Sequence, residues 1–298
     1  MEQHGNSQKS PTNSATDPDF DCSISGVASR PSAPLVQGKD GNFYGTAFGN
    51  GTYNSGNIFV MNSSGMLTNL YSFTDVADGG HPCAGLVLAT DGNFYGVTPR
   101  GAYGYGTIFR VTTNGTLTIL HSFTGGDDGD PGTDLAGNNP LAPLTQATDG
   151  NLYGTTYGGG AFGDGTVYQI TTNGVFTTLC SFSGADGANP LCGLVQGGDG
   201  NLYGTAWQGG VDGGGLVFRL VMPLGSLSAT HTESTIALTW NSIVGQTYQV
   251  QYNSDLTSTN WTNLTSLITA TSSTTSVPDA IVPNQQRFYR IVEFPEAW

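Results

Sequence analysis

Residues 149–167 read DGNLYGTTYGGGAFGDGTV, a glycine-rich stretch that nevertheless keeps Leu152, Tyr153, Thr155, Tyr157 and Val167. Three readings compete: a low-complexity tract, a phosphate-cradling loop, and one copy of a repeat. The Gly158–Gly160 run is not framed by a strand and a helix, as a phosphate loop would be. The repeat explains more. The motif DGN(F/L)YG starts at Asp40, Asp91, Asp149 and Asp199, with spacings of 51, 58 and 50 residues. Each copy continues through a glycine-rich turn to Gly56-Asn57-Ile58-Phe59, Gly106-Thr107-Ile108-Phe109, Gly165-Thr166-Val167-Tyr168 and Gly215-Leu216-Val217-Phe218.

Read by period, each copy predicts four short strands, a to d. They are typified by Leu194–Gln196, Asn151–Thr155, Thr166–Thr171 and Phe176–Phe182. Aromatic and β-branched residues alternate between Gly, Asn and Asp punctuation. Asp-Gly and Asn-Gly supply the positive-φ residues of tight hairpins. No segment reads as a helix. Four antiparallel strands in each repeated unit of this length are the signature of a propeller blade, with a solenoid as the competitor. The last copy stops after strand c, at Phe218-Arg219-Leu220, and residues 20–36 match 179–195 in placing Pro31 with Pro190 and Leu35-Val36 with Leu194-Val195. An N-terminal d strand near Phe20–Ile24 would complete the fourth sheet and close the ring, removing open edges.

Past Pro223-Leu224-Gly225 glycine gives way to Ser and Thr, and Ile236, Leu238 and Trp240 alternate, as do Tyr248, Val250 and Tyr252. The expected fold is therefore all-β. A disordered leader at 1–18 precedes a four-bladed β-propeller over 19–222, closed by the N-terminal strand, and a small C-terminal β-sandwich follows over 223–298.

Asp149-Gly150-Asn151-Leu152-Tyr153-Gly154-Thr155-Thr156, Gly158-Gly159-Gly160 and Gly163-Asp164-Gly165-Thr166-Val167-Tyr168, with their equivalents in the other copies, resemble the bacterial GloVer tandem repeat. The resemblance covers about two-thirds of the chain. It implies a propeller-like β fold and, because such repeats often occur in surface proteins, an exported or cell-surface setting. It brings no catalytic residues. The C-terminal pattern is similar to the fibronectin-III-like modules that follow such repeats.

Twenty-two acidic against 8 basic residues give a net charge of −14. The basic side chains are scattered, so the phosphate neutralisation that nucleic-acid binding needs is absent from the sequence. An acidic field attracts cations, and clustered carboxylates with backbone carbonyls suit Ca²⁺. Cys22, Cys83, Cys180 and Cys192 show no zinc-like spacing, which leaves disulfides and buried thiols both open. MEQHGNSQKS has no apolar h-region and no run approaches the ~18 apolar residues of a membrane span. As written, the chain reads as soluble, without a signal peptide, and as a monomer.

In a propeller the b–c and d–a connections share one face and the a–b turns the other. The aspartates of the DGN turns are then hairpin residues. The loop GGDDGDPGTDLAGNN brings Asp127, Asp128, Asp130 and Asp134 within eight residues, beside Gly129 and Gly132. It can hold Ca²⁺, without the full EF-hand pattern, or be a solvated acidic insertion. Asp75, Asp78, Asp127 and Asp186 are candidates to converge on the axis around a shared ion. His81, with Asp78, is a candidate general base, against a turn role before Pro82. His121 occupies the strand-d position of Tyr71 and Cys180 and reads as packing. Tyr53, Tyr103, Tyr105, Tyr157, Phe162 and Trp207 form either an aromatic rim for a sugar or acyl chain, or wedges between blades. Motifs of the G-x-S-x-G, H-E-x-x-H and P-loop types are absent.

Two functions follow. The first is a calcium-dependent hydrolase of lactone or ester substrates, of the acyl-homoserine-lactone type. In it Asp75, Asp127, Asp128, Asp130, Asp134 and Asp186 hold a Ca²⁺ that polarises the carbonyl, while His81 or Asp78 activates water. Its basis is fold-level similarity to calcium-dependent propeller lactonases. The second is a non-enzymatic carbohydrate- or protein-binding surface module, with Tyr103, Tyr105, Tyr157, Phe162 and Trp207 as its platform. A structural stalk is third.

Overall fold

The computed structural model describes residues 27–124, 140–222 and 228–294, apart from 243, 256, 258, 273, 283 and 284. The described chain is all-β. The first repeat gives β1 (Val36–Gln37), β2 (Phe43–Ala47), β3 (Asn57–Met61) and β4 (Leu67–Ser72), and the second gives β5 (Val87–Leu88), β6 (Phe94–Thr98), β7 (Thr107–Val111) and β8 (Leu117–Ser122). The third gives β9 (Thr145–Gln146), β10 (Leu152–Thr156), β11 (Thr166–Ile170) and β12 (Phe176–Ser181), and the fourth β13 (Val195–Gln196), β14 (Leu202–Ala206) and β15 (Leu216–Leu220). Each repeat is one antiparallel sheet with its strands in sequence order. Consecutive antiparallel pairing puts all b–c and d–a connections at one end and all a–b and c–d turns at the other.

The DGN motif builds the a–b hairpin. In the second repeat, Asp91 Oδ1 accepts the Asn93 backbone N–H (3.0 Å), and Oδ2 accepts the Asn93 amide (2.9 Å) and the Tyr95 hydroxyl (2.8 Å). Asp40, Asp149 and Asp199 make the same three bonds with Asn42 and Tyr44, Asn151 and Tyr153, and Asn201 and Tyr203. Gly41, Gly92, Gly150 and Gly200 have φ near +80°, at 82°, 84°, 84° and 75°, where a side chain is strained. The DGN aspartates are thus hairpin residues, as their position in sequence suggests.

The glycine that follows each tyrosine has a different cause. A Cβ on Gly45, Gly96, Gly154 or Gly204 would lie closer than 3.0 Å to the ring of Phe59, Phe109, Tyr168 or Phe218, the residue paired with it across the b–c hairpin. Glycine makes the socket for that ring. A register shift recurs on the c–d pair, between Ile58 and Phe59, Ile108 and Phe109, and Val167 and Tyr168. Such bulges raise local twist.

Each sheet is apolar on both faces, and the cores lie between successive sheets. Tyr44 and Ile58 of the first pack on Leu86, Phe94, Phe109 and Val111 of the second. Tyr95, Val97 and Ile108 pack on Leu144, Leu152, Tyr168 and Ile170 of the third. Tyr153 and Val167 pack on Leu194, Leu202, Phe218 and Leu220 of the fourth. Side-chain clamps join the same neighbours: Gln146 Oε1 accepts the Thr90 N–H (2.8 Å), and Gln196 Oε1 accepts the Thr148 N–H (3.0 Å).

The series ends there. Val217, the counterpart of the buried Ile58, Ile108 and Val167, is 73% exposed. A first sheet folded back on the fourth would bury it, so the closed four-bladed ring expected from sequence is not formed by the described residues. The expected closing strand near Phe20–Ile24 lies outside them. The physical reason is that sequence identifies which faces are apolar but not the angle between successive sheets, and that angle decides whether the first sheet meets the fourth.

Beyond the repeats, β16 (Ser228–His231), β17 (Thr235–Asn241) and β21 (Thr274–Ala280) form one antiparallel sheet. A second contains β18 (Thr247–Asn253), β19 (Thr262–Asn263), β20 (Ile268–Thr269) and β22 (Phe288–Phe294). Leu238, Trp240, Tyr248, Val250, Ala270 and Val277 share one core between them. Among the described residues no helix is long and apolar enough to cross a membrane, and Cys83, Cys180 and Cys192 are free thiols.

Two outcomes follow from the repeat chemistry. Gly96→Ala should cost about 1–3 kcal/mol by overpacking against Phe109, read from denaturant unfolding. Burial, with the bond to the aspartate, pushes Tyr44 and Tyr95 up to about 12 from an ordinary 10.0. A raised folded pKa contributes stability that is complete below 10.0 and is lost as pH climbs towards about 12. Alkaline titration of tyrosinate absorbance should therefore show delayed ionisation, with the unfolding midpoint falling across that window.

Candidate ligand-binding face

The b–c loops have a common plan. Gly51, Gly101, Gly160 and Gly210 turn the chain, and two residues later stand Tyr53, Tyr103, Phe162 and Asp212. The three aromatics are 61%, 60% and 66% exposed. They stand at the same loop position on three successive sheets, a row in repeat order at the variable end of the fold. Packed sheets lie about 10 Å apart, which sets the scale of the spacing. Tyr103 and Phe162 are thus exposed as a rim requires.

Tyr105 instead packs partly buried against the core between the second and third sheets. Tyr157 is half-buried, and its carbonyl accepts the Asn189 amide at 2.9 Å. Tyr105 is thus a wedge between sheets. Trp207 is exposed but sits at the end of its b strand, the position of Phe48 and Tyr157 rather than of the row.

The carboxylates do not gather. Asp78 accepts the Thr74 N–H (3.1 Å) and the Tyr71 hydroxyl (2.9 Å), and is also bonded to the Thr74 hydroxyl. Asp186 does the same work in the loop after the third sheet, accepting the Ser183 N–H (2.7 Å) and hydroxyl (2.9 Å). The Ser183 backbone bond leads the effects that hold the Asp186 carboxyl below its ordinary range. Both side chains cap their own loops, and among the described residues no three His, Cys, Asp or Glu side chains come together as a metal site. Asp75, Asp78 and Asp186 are thus each engaged by protein groups of their own surroundings. Asp127, Asp128, Asp130 and Asp134 lie outside the described residues.

His81 has φ of 55°, and Asn189, the equivalent residue before Pro190, has 56°. His81 Nδ1 lies 2.9 Å from the Phe48 carbonyl, the bond that Asn189 makes to Tyr157, and its ring packs on that of Phe48 at 4.7 Å. A neutral imidazole so placed carries its proton on Nδ1. Nε2 is 3.7 Å from Asp75 Oδ2, which also receives Arg100 Nη1 at 3.2 Å. Both ring nitrogens thus face protein groups, and His81 ties two sheets together. Asp75, His81 and Arg100 form a cluster at the same end of the fold as the exposed aromatics. Asp75 and His81 were candidates in sequence; Arg100, which reaches them from a b–c loop, was not. His121 stacks on Phe176 at 3.9 Å, in the packing role expected of it.

Because Asn189 makes the bond that His81 makes, His81→Asn should unfold at nearly the wild-type midpoint. His81→Ala should lose about 1 kcal/mol. Thermal unfolding of the pair separates the two.

No curated protein matches the chain. Among solved structures, one assigned as a gluconolactonase is 19% identical, covers 68% of this chain and 69% of its own, and has a TM-score of 0.34. One assigned as a 6-phosphogluconolactonase from Bacteroides uniformis is 13% identical, with 85% and 90% coverage and a TM-score of 0.41. A polysaccharide lyase acting on ulvan, bound to a sugar chain, is 14% identical, with 80% and 72% coverage and a TM-score of 0.39. Overlaps this loose assign no activity to this chain. The model of the Gloeobacter/Verrucomicrobia repeat, in contrast, matches residues 12–139 and 132–275. Four sheets cut to one pattern and a match over most of the sequence agree: the chain belongs to the Gloeobacter/Verrucomicrobia repeat family.

Proposed function

We propose that the variable end of the repeats is a binding surface for neutral carbohydrate chains. The observation that carries this reading is the row of Tyr53, Tyr103 and Phe162, three rings exposed at one structural position on successive sheets. Large aromatics left in water cost hydration free energy, and the C–H faces of sugar rings cover such surfaces while their hydroxyls stay solvated. The net charge of −14 disfavours anionic glycans and nucleic acids. The C-terminal two-sheet unit reads as a fibronectin-III-like module that carries this surface.

A hydrolytic reading rests on a different observation, the cluster of Asp75, His81 and Arg100 on the same face. Its substrates would be lactones or esters, with His81 and Asp78 as its base candidates. Any calcium would fall to Asp127, Asp128, Asp130 and Asp134.

A glycan array followed by calorimetry tests the first reading. Tyr103→Ala and Phe162→Ala should each weaken the best neutral ligand by about tenfold, or ~1.4 kcal/mol, with folding unchanged. A blank array sinks it. Lactone opening followed by pH-stat, with Ca²⁺ and with a chelator, tests the second, which fails if no metal-dependent rate rises above background.

A further inference from the structure

We propose that the outer face of the fourth sheet is an interface for a second copy of this chain, which docks through the opposite face of its own first sheet. The fourth face carries Val195, Tyr203, Thr205, Val217 and Arg219, matching Thr145, Tyr153, Thr155, Val167 and Gln169 of the third. In the third sheet this face is covered by the next repeat, whereas Val195 and Val217 are 66% and 73% exposed. The C-terminal unit leaves them so.

The complementary face is open at Leu35, while Phe43 and Met61 are half-buried and Phe59 is buried in its glycine socket. Leu35, Phe43, Phe59 and Met61 hold the places of Leu86, Phe94, Phe109 and Val111, which cover the first sheet. Leu35 is 46% exposed, against 7%, 3% and 3% for Leu86, Leu144 and Leu194. Among the described residues the four sheets therefore carry two half-interfaces, each the other half of a contact made three times between them.

The polar positions specify the register. Thr46 and Thr155 hydroxyls donate to the carbonyls of Ala84 and Cys192 in the next repeat, at 2.8 and 3.3 Å. Thr205 is exposed at the same position, and the counterpart of Ala84 and Cys192 is Ala33. Gln146 and Gln196 accept N–H bonds from Thr90 and Thr148 of the preceding repeat. The exposed Gln37 and Gly198 are the matching pair. Trp207 completes the set. Phe48 and Tyr157, at its position, are capped by His81 and Asn189. The residue that would cap Trp207 is Arg30, already held at φ of 57° like those two and able to place a guanidinium over the indole.

Contacts between unlike faces either close into a ring or run on as a filament. Two copies of four sheets would make a ring of eight, the upper end of the common propeller range of 4–8 blades. The occupant is a second copy because the first sheet of the same chain does not reach the face.

The test uses the full chain. Light scattering at micromolar concentration should give twice 30.9 kDa. Val217→Asp, a change at an exposed site, should give the single-chain mass with an unchanged circular dichroism spectrum. In case that variant is unstable, Thr205→Cys combined with Ala33→Cys supplies a second arm: oxidation should join two chains through the introduced thiols, located by peptide mapping. A single-chain mass for the unmodified protein across the micromolar range overturns the proposal. So does a dimer that folded Val217→Asp leaves intact, or a bond between the introduced thiols within one chain, which would show self-closure.

Discussion

A short antiparallel sheet with large apolar side chains on both faces is not a stable object in water, and that constraint organises this protein. Every repeat here is such a sheet. Its Tyr and β-branched residues cover one neighbour, and its Leu and aromatic residues cover the other. Burying a single side chain of this kind contributes about 1.5–3 kcal/mol, so the sum over one interface far exceeds that of any surface bond. Backbone register, the glycine sockets and the glutamine clamps fix how neighbours meet. Apolar area supplies the reason that they meet at all.

The internal design of a repeat was legible in sequence because its causes are local. Asp91, Gly92, Asn93 and Tyr95 close a hairpin within five residues, and the strands follow from alternation between such hairpins. The two-faced burial of β6 follows from an unbroken apolar and small-residue run, FYGVT. What sequence could not supply was the relation between distant elements. The angle between successive sheets is set by packing of whole side-chain layers, so the match of residues 20–36 with 179–195 names a closing strand without deciding whether the first sheet meets the fourth. The candidate site divides along the same line. Exposed Tyr103 and Phe162 were visible as loop aromatics. Tyr105 looked identical to them, yet packs against the core between two sheets, and Tyr157 is half-buried. The bonds of Asp78 to Thr74 and of Asp186 to Ser183 depend on how each loop folds back, which residue type alone does not give.

The two ends of the fold divide the labour. The a–b end is uniform, because each aspartate is committed to its asparagine and tyrosine. The b–c and d–a end is held by backbone bonds at its base, such as Gly80 to Arg100 and Ala188 to Gln208, which leaves the tips free to vary. Variation on a rigid base is where recognition is placed in repeat folds. The exposed aromatic row belongs to that variable end, and the uncovered β13–β15 face belongs to the stacking axis. A ligand and a second copy would thus occupy different surfaces.

The central claim is that each apolar sheet face is covered by the matching face of another repeat. Hydrogen exchange of β14 amides, followed against protein concentration, tests it most directly. The account predicts that exchange in β14 slows as concentration rises and approaches the protection of β10, whose two faces are already covered. Exchange in β14 that stays fast and independent of concentration, beside a fully protected β10, would contradict it.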